Sequence, residues 1–207
     1  MTDDYAAVFA ALGAATLGES GGRPMAPRVR AAWRGARVSA PAFPVNCSTA
    51  DNLAIHVAVA EAPAGSVLVV NVGHEQARGY WGEVLTTGAE ARGLRGLVID
   101  GGVRDVDALE AHRFPVFSTM IALRGATKQE PGRIGGPASV GDVEVVRDDW
   151  IVADADGVTV VSSVHLDDVL AAGRARAEKE EHFFAELRAG RTTLQLLSLD
   201  DAPIDRD

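Results

Sequence analysis

The sequence predicts an α/β domain with parallel core strands and an added antiparallel portion, and three observations lead there. Short, continuous apolar runs, Ser66-Val-Leu-Val-Val-Asn71 and Leu97-Val-Ile-Asp100, have the character of strands covered on both faces. Helix-length segments separate these runs, so strand–helix–strand crossovers with parallel pairing follow. From about residue 142 the apolar segments recur at hairpin spacing, which is the antiparallel signature.

Taken in order, residues 1–20 read as a short helical lead-in. Residues 21–28, rich in Gly, Pro and Arg, lack helix formers and read as a loop. Residues 36–47 have strand character. Residues 51–61 look helical, with Ser48 and Thr49 before them as N-cap material. After the strand at 66–71 a glycine-containing loop leads to a helix over about 81–92, which Gly93 ends. The second buried strand runs to Asp100; Gly101-Gly102 then read as a turn into a helix near 105–112. Residues 115–118 form a third strand. Residues 124–141 are rich in Gly and Pro, strands follow at about 142–146, 150–153 and 157–162, and a charged helix spans roughly 165–188. No repeat or linker divides the chain, and 207 residues suit one domain, 1–207.

Composition narrows the function. The chain is 47% hydrophobic but only 5% aromatic, so its core must be built from Val, Leu, Ile and Ala. A formal charge of −9 argues against non-specific nucleic-acid binding, which needs a cationic surface. No run approaches the roughly 20 apolar residues of a membrane span, and the acidic start Met1-Thr-Asp-Asp4 is unlike a secretory signal, so the cytoplasm is expected. The single cysteine, Cys47, excludes an intrachain disulfide and reads as a quiet, partly buried thiol.

In open α/β sheets ligands collect beyond the carboxyl ends of parallel strands. Two such ends carry chemistry: the segment Trp81-Gly-Glu-Val-Leu85 after the first buried strand, and Arg104-Asp105 after the second. If those strands are neighbours, both face one crevice. A first helical turn offers free N–H groups to a carboxylate, and Arg104 adds a two-pronged charged partner. Asp105 and Glu83 are hard oxygen donors suited to Mg2+ or Mn2+. A cation held there with an α-oxo acid would polarise the keto oxygen. Each residue also has a plainer role: Asp105 as N-cap, Glu83 as a charge complementing the helix dipole, Arg104 as a solvated side chain. His56 reads as structural, on the inner face of its helix, and His74 as a solvated loop residue. His112, His165 and His182 form no ligand spacing.

The pattern Gly82-Glu83, twenty residues, then Arg104-Asp105 resembles the signature of the RraA-like family, which includes aldolases of 4-hydroxy-4-methyl-2-oxoglutarate and 4-carboxy-4-hydroxy-2-oxoadipate. Asp51-Asn-Leu-Ala-Ile-His56, the run from Gly93 to Asp105, and the run from Asp149 to Val158 agree with it. The resemblance implies an RraA-like, swivelling β/β/α domain. It also implies a metal-dependent lyase that cleaves a 4-hydroxy-2-oxo dicarboxylic acid to pyruvate and a second oxo-acid, with oxaloacetate decarboxylation by the same chemistry. By that resemblance Asp105 ligates the cation directly and Glu83 largely through water. Arg104, with the backbone N–H groups of Val84 and Leu85, binds the pyruvyl part at Gly82, and Asn52 lines the pocket. No histidine base is required, and a homotrimer or hexamer with active sites between subunits is implied. The chain departs from the family at Ala108, where an acid is frequent, and in the loop Val72-Gly-His-Glu-Gln76. A protein-binding regulator of a ribonuclease, and a family enzyme recruited to another oxo-acid, are the alternatives. The regulators lack the aspartate that this chain keeps at 105.

Overall fold

The computed structural model describes residues 2–205; Met1 and residues 206–207, included in the domain read from sequence, lie outside the described residues. The chain begins with α1 (Thr2–Gly18), broken at Gly13, and two short strands, β1 (Arg23–Pro24) and β2 (Arg30–Ala31). A βαβ series follows: β3 (Val38–Asn46), α2 (Leu53–Glu61), β4 (Val67–Asn71), β5 (Gly79–Trp81), α3 (Glu83–Ala91), β6 (Gly96–Val103), α4 (Val106–His112) and β7 (Val116–Ile121). The short strands β8 (Arg133–Ile134), β9 (Ala138–Val140) and β10 (Val143–Val145) lead to the hairpin β11 (Trp150–Ala153) and β12 (Val158–Val161). Helices α5 (Leu166–Arg188) and α6 (Thr193–Leu197) close the chain.

The main sheet runs β1-β12-β11-β3-β4-β6-β7-β2. Its centre, β3-β4-β6-β7, is parallel, while β11, β12 and β1 continue it antiparallel on one side and β2 caps the other. The predicted α/β fold with parallel core strands and an added antiparallel portion is the observed one.

Side-chain alternation along the strands decides the layers. In β4, Leu68 and Val70 pack with Ile55, Ala58, Leu85 and Leu109, under the layer of α2, α3 and α4. Val67 and Val69 point the other way and meet Ile151, Val158 and Val160 of the hairpin. The sheet therefore curls over its own second face. The outer face of the hairpin, with Trp150, Val152 and Val161, is covered by Phe9 and Leu17 of α1 and Val169 of α5. Each buried aliphatic side chain contributes roughly 1.5–3 kcal/mol, and all four residues Val67–Val70 are fully buried, so the parallel centre is the stable frame.

Several boundaries differ from the sequence reading. Residues 23–24 add to the sheet edge beside β12 rather than remaining loop. Ser48 and Thr49 do not cap α2: the Asp51 carboxylate accepts the Leu53 N–H at 2.8 Å, and the Ser48 hydroxyl donates to the Pro131 carbonyl. Trp81 belongs to β5, because its carbonyl accepts the Arg104 N–H at 2.9 Å, so α3 starts at Glu83. Gly101-Gly102 are not a turn. They prolong β6, where a Cβ on Gly101 would lie 2.7 Å from Val72 and one on Gly102 2.5 Å from the Arg78 carbonyl. Glycine there admits a close neighbour rather than a bend.

Candidate active site

β4 and β6 are neighbours with Asn71 opposite Asp100, so their carboxyl ends open on the same side. β5 adds in parallel beyond β4, pairing Trp81 with Val103. This sets the start of α3 directly against Arg104 and Asp105. Between them lies a cavity of about 220 Å³. Of the residues predicted from sequence, Asn52, Gly82, Val84, Leu85, Arg104 and Asp105 all line it.

Asp105 adopts a left-handed conformation, φ 58° and ψ 40°, uncommon for a residue with a side chain. It makes no side-chain cap on its own helix. Its Oδ2 instead accepts the Glu83 N–H at 3.1 Å and lies 3.8 Å from Arg104 Nε. The capping role is therefore not the one its carboxylate fills. Local strain of this kind, about 1–3 kcal/mol, collects at functional sites. Gly82 is what permits the approach: a Cβ there would sit 2.3 Å from Asp105 Oδ2. The N–H groups of Val84 and Leu85, in the first turn of α3, have no carbonyl of their own helix to bond.

The Glu83 carboxylate follows a different course. Its Oε1 lies 3.6 Å from His112 Nε2, and His112 Nδ1 is 2.8 Å from Glu90. Glu83 thus gives the site its backbone N–H, while its side chain faces α4. No group of three or more His, Cys, Asp or Glu side chains suited to a metal occurs among the described residues. Of the lining residues only Asp105 carries a carboxylate, and it is half-exposed, while Glu83, the second donor expected from sequence, is not among them. A single protein carboxylate suits magnesium or manganese, which keep several waters and take only one or two.

Other lining residues were not read from sequence. His56, taken there as structural, borders the cavity, and its Nε2 is buried without a hydrogen bond. Burial first, and then the nearby Lys128 ammonium, hold its pKa below the ordinary imidazole value, so the ring is neutral at pH 7. Asn52 donates to the Tyr80 carbonyl at 2.8 Å and leaves its own buried Oδ1 without a partner. Gly125, Ala126 and Lys128 complete the wall. They are brought in by parallel bridges, Asp51 with Thr127 and Gly79 with Gly125, and by Asp51, whose Oδ2 accepts the Gln129 and Glu130 N–H groups. The spacing of His56 four residues after Asn52, one turn along the same helix face, was the available signal.

Cys47 is half-buried, and burial followed by the Asp51 charge pushes its thiol up to about 12, which matches the quiet thiol expected. His74 is exposed, as expected, and the 72–76 loop is tied down by Gln76, whose side chain donates to Asp100 at 3.0 Å.

A family model described as Aldolase/RraA matches residues 6–160. The chain belongs to the RraA-like family. Its relatives include a protein of Halalkalibacterium halodurans that bears the name "Putative 4-hydroxy-4-methyl-2-oxoglutarate aldolase"; it is 34% identical over 145 residues, covering 70% of this chain and 69% of that one. Among solved structures, an uncharacterized protein of Pseudomonas syringae pv. tomato superposes with a TM-score of 0.85 at 24% identity, over 94% and 93% of the two chains. The RNA-processing inhibitor RraA of "Thermus thermophilis" superposes with a TM-score of 0.65 at 23% identity, over 72% and 91%. At these identities the two structures show the shared RraA-like fold. Among the described residues, no helix is long and apolar enough to cross a membrane.

Proposed function

We propose that this RraA-like protein is a divalent-metal-dependent carbon–carbon lyase that cleaves a 4-hydroxy-2-oxo dicarboxylic acid to pyruvate and a second oxo-acid in the cytoplasm. The observation that carries the reading is the meeting of Arg104, Asp105 and the first turn of α3 in one cavity. The aldolase name of the Halalkalibacterium relative supports the same class.

In this reading the substrate's 1-carboxylate lies between the Arg104 guanidinium and the N–H groups of Val84 and Leu85, a charge-assisted and dipole-assisted cradle. Gly82 leaves room for the Asp105 carboxylate at the edge of that cradle. Asp105, with Glu83 as the second carboxylate, would hold Mg2+ or Mn2+, and the cation would supply Lewis acidity toward the keto oxygen. The C3–C4 bond breaks as the C4 hydroxyl loses its proton, its electrons pass to the keto group as an enolate, and C3 then takes a proton to give pyruvate. Decarboxylation of oxaloacetate breaks the equivalent bond and passes through the same enolate. Asn52 and His56 present uncommitted polar atoms to the remainder of the substrate. Assembly as a homotrimer or hexamer belongs to the same proposal. A ribonuclease-binding regulator is the weaker reading, because the chain keeps Asp105, which such regulators lack.

The test is pyruvate release from oxaloacetate and from 4-carboxy-4-hydroxy-2-oxoadipate, with added magnesium or manganese and after EDTA. Metal-dependent release that Asp105→Ala abolishes, and that Arg104→Ala weakens mainly through KM, supports the lyase. Full activity in Asp105→Ala would show that the reaction centre is elsewhere.

A further inference from the structure

The N-terminal ends of β3, β4, β6 and β7, at the opposite end of the sheet from the cavity, open onto a groove of about 880 Å³. Arg37, Arg95 and Arg113 line it, and Arg37 and Arg113 continue into an adjoining groove of about 390 Å³ with Arg34. All four side chains belong to exposed residues, and none has a side-chain hydrogen bond or ion pair among the described residues. Elsewhere Arg23, Arg28, Arg78, Arg104, Arg176 and Arg191 each face a carboxylate, and Arg30 and Arg92 bond backbone carbonyls. Arg124, Arg133 and Arg174 also lack such a partner among the described residues, so what marks these grooves is four such side chains gathered together. A chain with a formal charge of −9 has carboxylates to spare, yet only two border these grooves. Glu90 is committed to His112 at 2.8 Å, and Glu110 lies in the smaller groove.

Arg113 adds an independent observation. It ends α4 in the left-handed region, φ 54° and ψ 25°, the position glycine usually fills. Gly93, at φ 74°, fills the equivalent position after α3. An arginine kept in a conformation that disfavours a side chain points to use of that side chain. Cations are favoured near helix C-termini, which accounts for a positive charge at 113. It does not account for Arg34 and Arg37, which precede β3, or for Arg95, which precedes β6.

We propose that this groove binds a small anion carrying two or more phosphate or carboxylate groups, at a site separate from the cavity that holds Arg104 and Asp105. Guanidinium forks match planar or tetrahedral oxyanions with paired hydrogen bonds. Several unpaired forks around one groove suit several such groups on one molecule. The proposal is independent of the lyase reading.

Titration calorimetry of the full chain with tripolyphosphate and with citrate, at about 0.15 M salt to screen non-specific attraction, tests it. Saturable binding of one or both probes is expected, weakened at least about tenfold in the Arg37→Ala/Arg113→Gly double variant. Tripolyphosphate alone binding assigns a phosphorylated ligand; citrate alone assigns a polycarboxylate. Because Arg113→Gly removes the left-handed strain, its Tm should equal or exceed the wild-type value, so lost binding cannot be ascribed to unfolding. Arg104→Ala should bind both probes as wild type does. No binding at millimolar concentration, equal binding by the double variant, or binding abolished by Arg104→Ala would each overturn the proposal.

Discussion

Replacing Gly82 by alanine tests the candidate site with a single methyl group. The backbone at Gly82 is extended, φ −167° and ψ −165°, so alanine meets no conformational barrier there. The obstacle is local: the new Cβ would lie 2.3 Å from Asp105 Oδ2 and 3.1 Å from Arg104 Cγ. An ordinary carbon–oxygen contact is about 3.3 Å, so the Asp105 carboxylate must retreat by about 1 Å. The move weakens its bond from the Glu83 N–H, now 3.1 Å, and displaces the atom proposed to hold the cation. A misplacement of about 1 Å at a reacting centre costs on the order of a hundredfold in rate, or about 2.7 kcal/mol in the barrier. Gly82 is itself buried, so the crowding should also cost roughly 1–3 kcal/mol of stability, toward the low end because the Asp105 side chain is half-exposed and can move. The assay is pyruvate release with saturating magnesium, read beside Tm. Gly88→Ala in the same helix is the control: its Cβ would meet only Val59, at an ordinary 3.5 Å. That variant should keep full activity and gain about 0.5–1 kcal/mol of stability from helix propensity. A Gly82→Ala protein within about threefold of wild type would refute the placement of Asp105 at the centre of the reaction.

Two further predictions concern stability and pH. Burial raises the Asp51 carboxyl, but the Gln129, Leu53 and Glu130 N–H groups outweigh it and bring its pKa to about 2, against an ordinary 3.8. Its contribution is therefore present above the ordinary value and lost as pH falls toward 2. Asp51→Asn should cost about 2 kcal/mol in urea unfolding at neutral pH and should shrink the loss of stability on acidification; an unchanged acid limb would count against this. His112 is raised, chiefly by the hydrogen bond to Glu90 and then by Glu83. Stability from that pairing is full below the ordinary imidazole value and lost as pH rises through the folded value. Glu90→Gln should flatten Tm between about pH 5.5 and 8.5, and a Tm profile identical to wild type would disprove the pairing.

The candidate site was legible in sequence to the extent that its parts are local. Arg104-Asp105 and residues 82–85 each follow a buried strand, and the parallel arrangement alone sends both to one edge of the sheet. The 124–141 stretch reads in sequence only as rich in Gly and Pro, so nothing there foretold that Gly125, Ala126 and Lys128 form a wall of the cavity. Asp51, with its buried carboxylate and bonds to residues 129–130, is what brings that segment home. The helical start near 81 failed for a related reason: Trp81 is claimed by pairing with Val103, a partner distant in sequence.

The periodicity of the chain by itself determined the buried valine-rich strands, the crossover helices and the hairpin, because burial on both faces or on one leaves its own pattern in the residues. It placed, too, an arginine and an aspartate after one buried strand and a first helical turn after another, while the pairing of those strands as neighbours belongs to the tertiary structure. Only the tertiary structure decided where side chains point: the Glu83 carboxylate toward His112, the His56 ring toward the cavity, and four arginines around a groove at the far end of the sheet. Those directions depend on packing between segments remote in sequence, and no local pattern encodes them.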